Sequence, residues 1–304
     1  MSDGRSAPPS RREILKTGGR LIGAAAVSCL GPAGAKAAGY PERPVKIIVP
    51  FAPAGPTDIM ARILVAHLGD AIGGTLIVEN KPGAGGNIPY DPYTDFAPIA
   101  ELGTSPNVIL VDPKLGVNSI PDLIARAKTN PDELNYASPG IGTTPHLSGE
   151  LFKIVGGIQI THVPFSGAGP AVQAVLSGTT QIAFAALPPA RPHIESGALK
   201  ALAVTGAHRW FDLPDVPTMV ELGYTDFISD TFQGFLAPAK TPPAIVALLS
   251  TKSIEILKTP AIAEQLRNNG FEVIANGPDG MRKRIADEVP KWRDIVAKAG
   301  IKPV

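Results

Sequence analysis

The chain has 304 residues, with 28 basic and 27 acidic side chains, a net charge of +1 and a single cysteine. This balance offers no basic stripe to nucleic acid or anionic lipid, and one cysteine cannot form an internal disulfide or a thiolate metal cluster. The length suffices for two compact α/β lobes.

Residues 1–37 read as an export segment outside the fold. Ser10-Arg11-Arg12-Glu13-Ile14-Leu15-Lys16 matches the twin-arginine pattern, with Ile14 where Phe is commoner. The apolar run Leu21 to Leu30 is too short to span a membrane as a helix. Ala35-Lys36-Ala37 is a small-x-small cleavage site, with processing after Ala37 or Ala38. A lipid anchor on Cys29 is a minor option, because Ala26-Val27-Ser28-Cys29 is a poor lipoprotein site. Six basic and two acidic side chains fall in this segment, leaving 22 and 25, a net of −3 over 267 residues. The remainder has no cysteine, so thiol chemistry is excluded there.

The first element of the folded part is a strand over Val45–Val49, a short apolar and β-branched run. Pro50, Pro53 and Pro56 then forbid regular structure, and Gly55 permits a turn closed to other residues. Thr57 or Asp58 can cap the next helix, in which Ile59, Ile63 and Leu64 recur at helical spacing. Such a strand-to-helix step leaves free N–H groups and a positive dipole end, a ready anion site. Taken alone, the stretch is better read as an ordinary β–α connection.

Further strands are expected over Leu76–Val78, Val108–Val111, Asn135–Ala137, Ile182–Phe184, Leu202–Val204 and Phe235–Ala237. Helices are expected over Ile120–Lys128, Leu147–Ile154, Ala171–Leu176 and Ala244–Leu257. Alternation of this kind predicts parallel sheets with helices on both faces.

Two more β–α loops stand out. Leu134 to Phe152 runs strand, Gly/Ser/Thr loop, helix; small residues let a ligand approach the backbone, and Ser138, Thr143 and Thr144 offer hydroxyls. Gly140-x-Gly142 only superficially resembles a dinucleotide fingerprint, since Pro145 stands where a third glycine belongs. His146 reads as a packing or capping residue rather than a catalytic one. His162 to Val172 is a third strand, Gly/Pro loop and helix start, which alone reads as another β–α turn. There is no Gly-x-Ser-x-Gly elbow, no P-loop and no His-Glu-x-x-His. The five histidines lack metal-ligand spacing. The residues thus give no catalytic group, no metal and no cofactor.

The order of these segments resembles the Bug-type receptors, the extracytoplasmic solute-binding proteins of tripartite tricarboxylate transporters. The resemblance is carried by Tyr40-Pro41-x-x-Pro44-Val45, by Val49-Pro50-Phe51 through Asp58, and by Val78-Glu79-Asn80-Lys81-Pro82-Gly83-Ala84-Gly85-Gly86-Asn87. It continues through Asp95 to Ile99, Leu134 to Phe152, His162 to Pro170, Ala201 to Thr205, Leu213 to Thr218 and Gly234 to Pro242, closing on Ala299-Gly300-Ile301. It implies an α/β, two-lobed periplasmic-binding-protein fold, type II-like. Residues 38–102 with 232–304 would form one lobe and 103–231 the other, the chain crossing near Leu102–Ile109 and Asp230–Gly234. It also implies a periplasmic monomer that is not an enzyme and binds a small carboxylate in the cleft for the transporter's membrane components. Carried over by position, the ligand-binding residues are Phe51, Ala52, Pro53, Gly55, Thr57 and Asp58 from one lobe. From the other come Ser138, Gly140, Gly142, Thr143, Thr144, His146 and Phe165. Other uses of the same resemblance are ligand sensing for a signalling receptor, a degenerate non-binding relative, and, least favoured, a periplasmic hydrolase.

Three departures from the family pattern bear on this. The first loop has Pro53-Ala54-Gly55 where Pro-Gly-Gly is common. Ala185-Ala186 stands where relatives often carry Asp, which argues against an amino-acid ligand and suggests Ala185→Asp as the restoring change. After Gly86-Asn87-Ile88 the family continues through a helix, an Asp-Gly-Tyr strand and more helix; here the chain runs directly into Pro89-Tyr90-Asp91-Pro92. A parallel sheet so shortened must close up or expose apolar faces, with weaker stability and an altered pocket expected.

Overall fold

A computed structural model describes residues 39–83, 90–131 and 133–301; the twin-arginine segment and the Gly86-Asn87-Ile88 junction lie outside them. The order opens with β1 (Val45–Val49), α1 (Pro56–Ile72), β2 (Leu76–Asn80) and β3 (Phe96–Val111). After one 3-10 turn at Pro113–Leu115 come α2 (Ile120–Thr129), β4 (Asn135–Ser138), α3 (Thr144–Gly156), β5 (Thr161–Pro164) and α4 (Ala168–Leu176). Then follow β6 (Ile182–Ala186), α5 (Leu187–Glu195), β7 (Lys200–Val204), β8 (Asp230–Pro238), α6 (Pro243–Leu257), α7 (Pro260–Asn268), β9 (Glu272–Asn276) and α8 (Pro278–Lys298).

The 16-residue β3 organises the molecule. Its first part pairs antiparallel with β8 and β9, and its last five residues pair with β6 and β7. The strand path β5-β4-β6-β3-β7 completes a seven-stranded sheet with β8 and β9 on β3. Sequence reading placed only Val108–Val111 in a strand; the run before it carries Pro98, Gly103 and Pro106, residue types that weaken or interrupt strands. The register shifts between Pro98 and Ala100, and again between Glu101 and Gly103, so irregular pairing absorbs part of this run.

Period-two alternation sorts the β3 side chains. Ile109 and Val111 join Tyr136, Phe152, Ile182 and Phe184 in one core, while Val108 and Leu110 join Ala137, Val172, Ala183 and Ala185 across the sheet. A third core at the other end gathers Met60, Leu64 and Leu68 of α1 with Ile99, Phe235, Leu257, Leu266 and Phe271.

Among the described residues no helix or strand separates β2 from β3. Parallel β1 and β2 form a two-stranded sheet of their own, apart from the seven-stranded one. Ile48 is 48% and Ile77 45% exposed, whereas parallel strands are ordinarily covered on both faces. Lys46 and Lys81 both pair with Glu79 on this small sheet.

Candidate functional site

Four helices begin at one cavity of about 240 Å³. Gly55, Pro56 and Thr57 bring the start of α1, Thr143, Thr144 and Pro145 that of α3, Ala168 that of α4 and Ala186 that of α5. Phe51, Pro139, Gly142, Thr231 and Phe232 complete the wall. The caps of α1, α4 and α5 (Gly55, Gly167, Ala186) make no side-chain hydrogen bond to their helices. First-turn N–H groups have no intrahelical acceptor, so the starts of α1 and α4 present donors, while Pro188 and Pro189 leave α5 little beyond its dipole; each start carries about half a positive charge. No charged side chain lines the cavity among the described residues. The wall suits an anion held by dipoles and hydroxyls.

The first loop is fixed from behind. Asp58, 3% exposed, accepts hydrogen bonds from the Ala54 N–H (3.0 Å), Arg62 Nε (2.9 Å) and Asn80 Nδ2 (2.9 Å). Asn80 Nδ2 also donates to the Phe51 carbonyl (3.1 Å). Burial pushes the Asp58 carboxyl up, but the bonds from Arg62, Ala54 and Asn80 outweigh it and hold it below its usual range. Ala54 sits at φ 64°, a left-handed conformation costing a non-glycine residue about 1–2 kcal/mol. The bond from its N–H to Asp58 helps keep alanine in place. The Ala52 N–H donates to the Ser166 carbonyl (3.1 Å), tying the first loop to the third. A side chain at Gly167 would press on Ala52 there, at 3.4 Å.

The second loop is fixed by two histidines. Ser138, fully buried, accepts the Gly140 N–H (3.2 Å) and meets His162 Nε2 at 2.6 Å. His146 Nδ1 accepts the Gly142 N–H (3.1 Å), and the two imidazoles lie 4.1 Å apart. Tyr136 stacks on His162 and donates to Glu150 (2.6 Å), which also pairs with Lys153. Burial, then His146 and Lys153, push His162 down to about 3. Burial also lowers His146, with Lys153 adding to it against Glu150. Both rings are therefore neutral at pH 7 and act as hydrogen-bonding struts. Ser138 and His162 are close enough for a nucleophile and its base, yet Ser138 is sealed beneath the loop and does not line the cavity.

Of the thirteen residues singled out in sequence, Phe51, Gly55, Thr57, Gly142, Thr143 and Thr144 line the cavity. The other seven do not. Ala52 spends its N–H on Ser166, and Pro53 has none. Asp58, Ser138, Gly140 and His146 hold the loops from within. Phe165 packs on the core beside α4 and bonds its N–H to the Ser138 carbonyl. Sequence reading missed Thr231 and Phe232, which lie far along the chain on β8 where it crosses beside β3; the expected crossing near Asp230 was the available clue. Of the two alanines singled out in sequence, Ala185 is buried in the core and Ala186 lines the cavity.

Among the described residues, no cluster of His, Cys, Asp and Glu is placed to hold a metal ion, and no helix is long and apolar enough to cross a membrane.

Comparison with known proteins supplies the context. A family model described as tripartite tricarboxylate transporter family receptor matches residues 86–301. Protein BugT of Bordetella pertussis is 35% identical over 297 residues, covering 86% of this chain and 91% of that protein. An R. palustris structure with adipate aligns at TM-score 0.82 and 32% identity, covering 87% of this chain and all (100%) of the other. MatC from Rhodopseudomonas palustris, with bound malate, aligns at TM-score 0.81 and 28% identity, covering 84% and 100%. The fold is the two-lobed periplasmic-binding-protein fold.

Proposed function

Because this chain belongs to the tripartite tricarboxylate transporter receptor family, we propose that it is a monomeric periplasmic solute-binding protein that captures a small carboxylate and hands it to the transporter's membrane components. Export follows the twin-arginine route. Residues 38–102 with 232–304 form one lobe and 103–231 the other, with the ligand between them.

The observation that carries this reading is the meeting of four helix starts at one cavity without a charged side chain. A carboxylate there gains charge-assisted bonds from several backbone N–H groups without the cost of burying a lysine or arginine. Thr57 contributes a first-turn N–H and a hydroxyl and Thr144 a first-turn N–H, and Gly55, Gly142 and Thr143 keep the backbone close to the ligand. Phe51 and Phe232 form apolar walls. The cavity lies below the roughly 300–1,000 Å³ of sites for drug-sized ligands, which suits a short acid. The adipate and malate found in similar structures support the same class.

Thermal unfolding of the purified protein with a panel of di- and tricarboxylates tests this. An acid at 100 times its dissociation constant adds about 2.7 kcal/mol, which raises the melting point by several degrees. A cooperative melt indifferent to every acid would overturn the carboxylate assignment.

A further inference from the structure

A chain of buried hydroxyls ends at the cavity wall, and its proton directions can be worked out. Ser148, Asn107 and Ser229 are fully buried. Ser148 Oγ lies 2.7 Å from the Thr144 carbonyl and 2.8 Å from Ser229 Oγ. Ser148 Oγ is the donor to both, sharing its proton between the Thr144 carbonyl and Ser229 Oγ. Asn107 Nδ2 donates to Ser229 Oγ at 3.0 Å, which fixes the orientation of the amide. The Asn107 carbonyl then faces Thr231 Oγ1 at 2.6 Å, and Thr231 donates. Thr144 Oγ1, 2.9 Å from Thr231 Oγ1, must supply the proton of that last contact. The protons of Thr231 and Thr144 are thus both spent within the chain, and the two threonines are left with lone pairs alone.

Both threonines line the cavity. A carboxylate oxygen set against them would face lone pairs on both sides, so this wall calls for a donor. An ammonium group would donate, but no carboxylate lines the cavity to neutralise it, and Asp58 is committed to Arg62 and Asn80. We infer that the ligand is a carboxylate bearing a neutral hydroxyl, which donates to Thr144 Oγ1 while the acid group sits on the helix starts. This rests on the carboxylate reading above and specifies its ligand. Asn107 is a positioning residue in this scheme, acting through Thr231.

Titration calorimetry on the full-length protein with the pairs succinate and malate, and glutarate and 2-hydroxyglutarate, tests the inference, with aspartate as the amino counterpart. The hydroxylated member of at least one pair binds about tenfold or more tightly than its partner. Thr144→Val brings that ratio to within about twofold, and Thr144→Ser, which keeps the acceptor, preserves it. Equal or tighter binding of both unhydroxylated acids overturns the hydroxyl inference and leaves the carboxylate reading standing. So does tighter binding of aspartate, or a ratio that survives Thr144→Val. The ratio in the unaltered protein decides the matter even if a variant fails to fold. Failure of every acid to bind removes the carboxylate reading and this inference together.

Discussion

The site is held by residues that do not face the ligand. Asp58 pins the first loop and His146 the second, each by accepting a backbone N–H four residues away. The neutral histidines make the molecule sensitive to acid. The folded state holds His162 at about 3 and His146 below its ordinary value, while an unfolded histidine titrates near 6.5. Below about pH 6.5 the unfolded chain therefore takes up protons that the folded chain refuses, and stability falls as pH falls, until the folded-state values are reached. Each such histidine contributes a slope of up to about 1.4 kcal/mol per pH unit. Denaturant melts between pH 7 and pH 4.5 should show this decline, and His162→Gln should flatten it. A stability constant down to pH 5 would contradict the neutral pair. Sequence showed both histidines beside Gly-rich loops, but burial decides their charge, and burial comes from Tyr136, Glu150 and Lys153 folding around them.

At the scale of elements, loops at strand ends were legible because glycine and proline mark them chemically. The long strand β3 was not, since its prolines and glycine argue against a strand unless neighbours tolerate irregular pairing. Helix α8 was also missed. Only Met281 and Ile285 are buried along its length, and Pro290 lies inside it, so apolar periodicity gave it little support. The two-stranded β1–β2 sheet has a measurable consequence. Ile48 and Ile77 stand half in water, so Ile48→Thr should change stability by less than about 0.5 kcal/mol. Leu68→Ala, in the adjacent core at 0% exposure, should cost about 2–5 kcal/mol. Equal losses in chemical denaturation would show that the outer face of this sheet is covered in solution.

For the whole molecule, β3 contributes to all three cores, and the cavity wall joins residues of β8 to the loops that open α1, α3, α4 and α5. Thr231 and Phe232 belong to this level. Nothing in their local sequence marks them, and only the pairing of β8 with β3 brings them to the helix starts. The absence of charged side chains from the wall, among the described residues, predicts a weak salt effect. Dipoles and hydrogen bonds inside a cavity are screened less than exposed ion pairs, so affinity for a bound acid should change by less than about threefold between 50 and 500 mM salt. A loss of tenfold or more in equilibrium titrations would indicate that exposed basic side chains take part.

The most direct test is a crystal structure of the protein with the acid that raises its melting point furthest. The account predicts carboxylate oxygens about 2.7–3.1 Å from backbone N–H groups at the starts of α1 and α3, with no lysine or arginine in contact. An acid seated instead on a basic side chain, such as Arg209 or Arg267 in the separate groove beside Trp210, would contradict it.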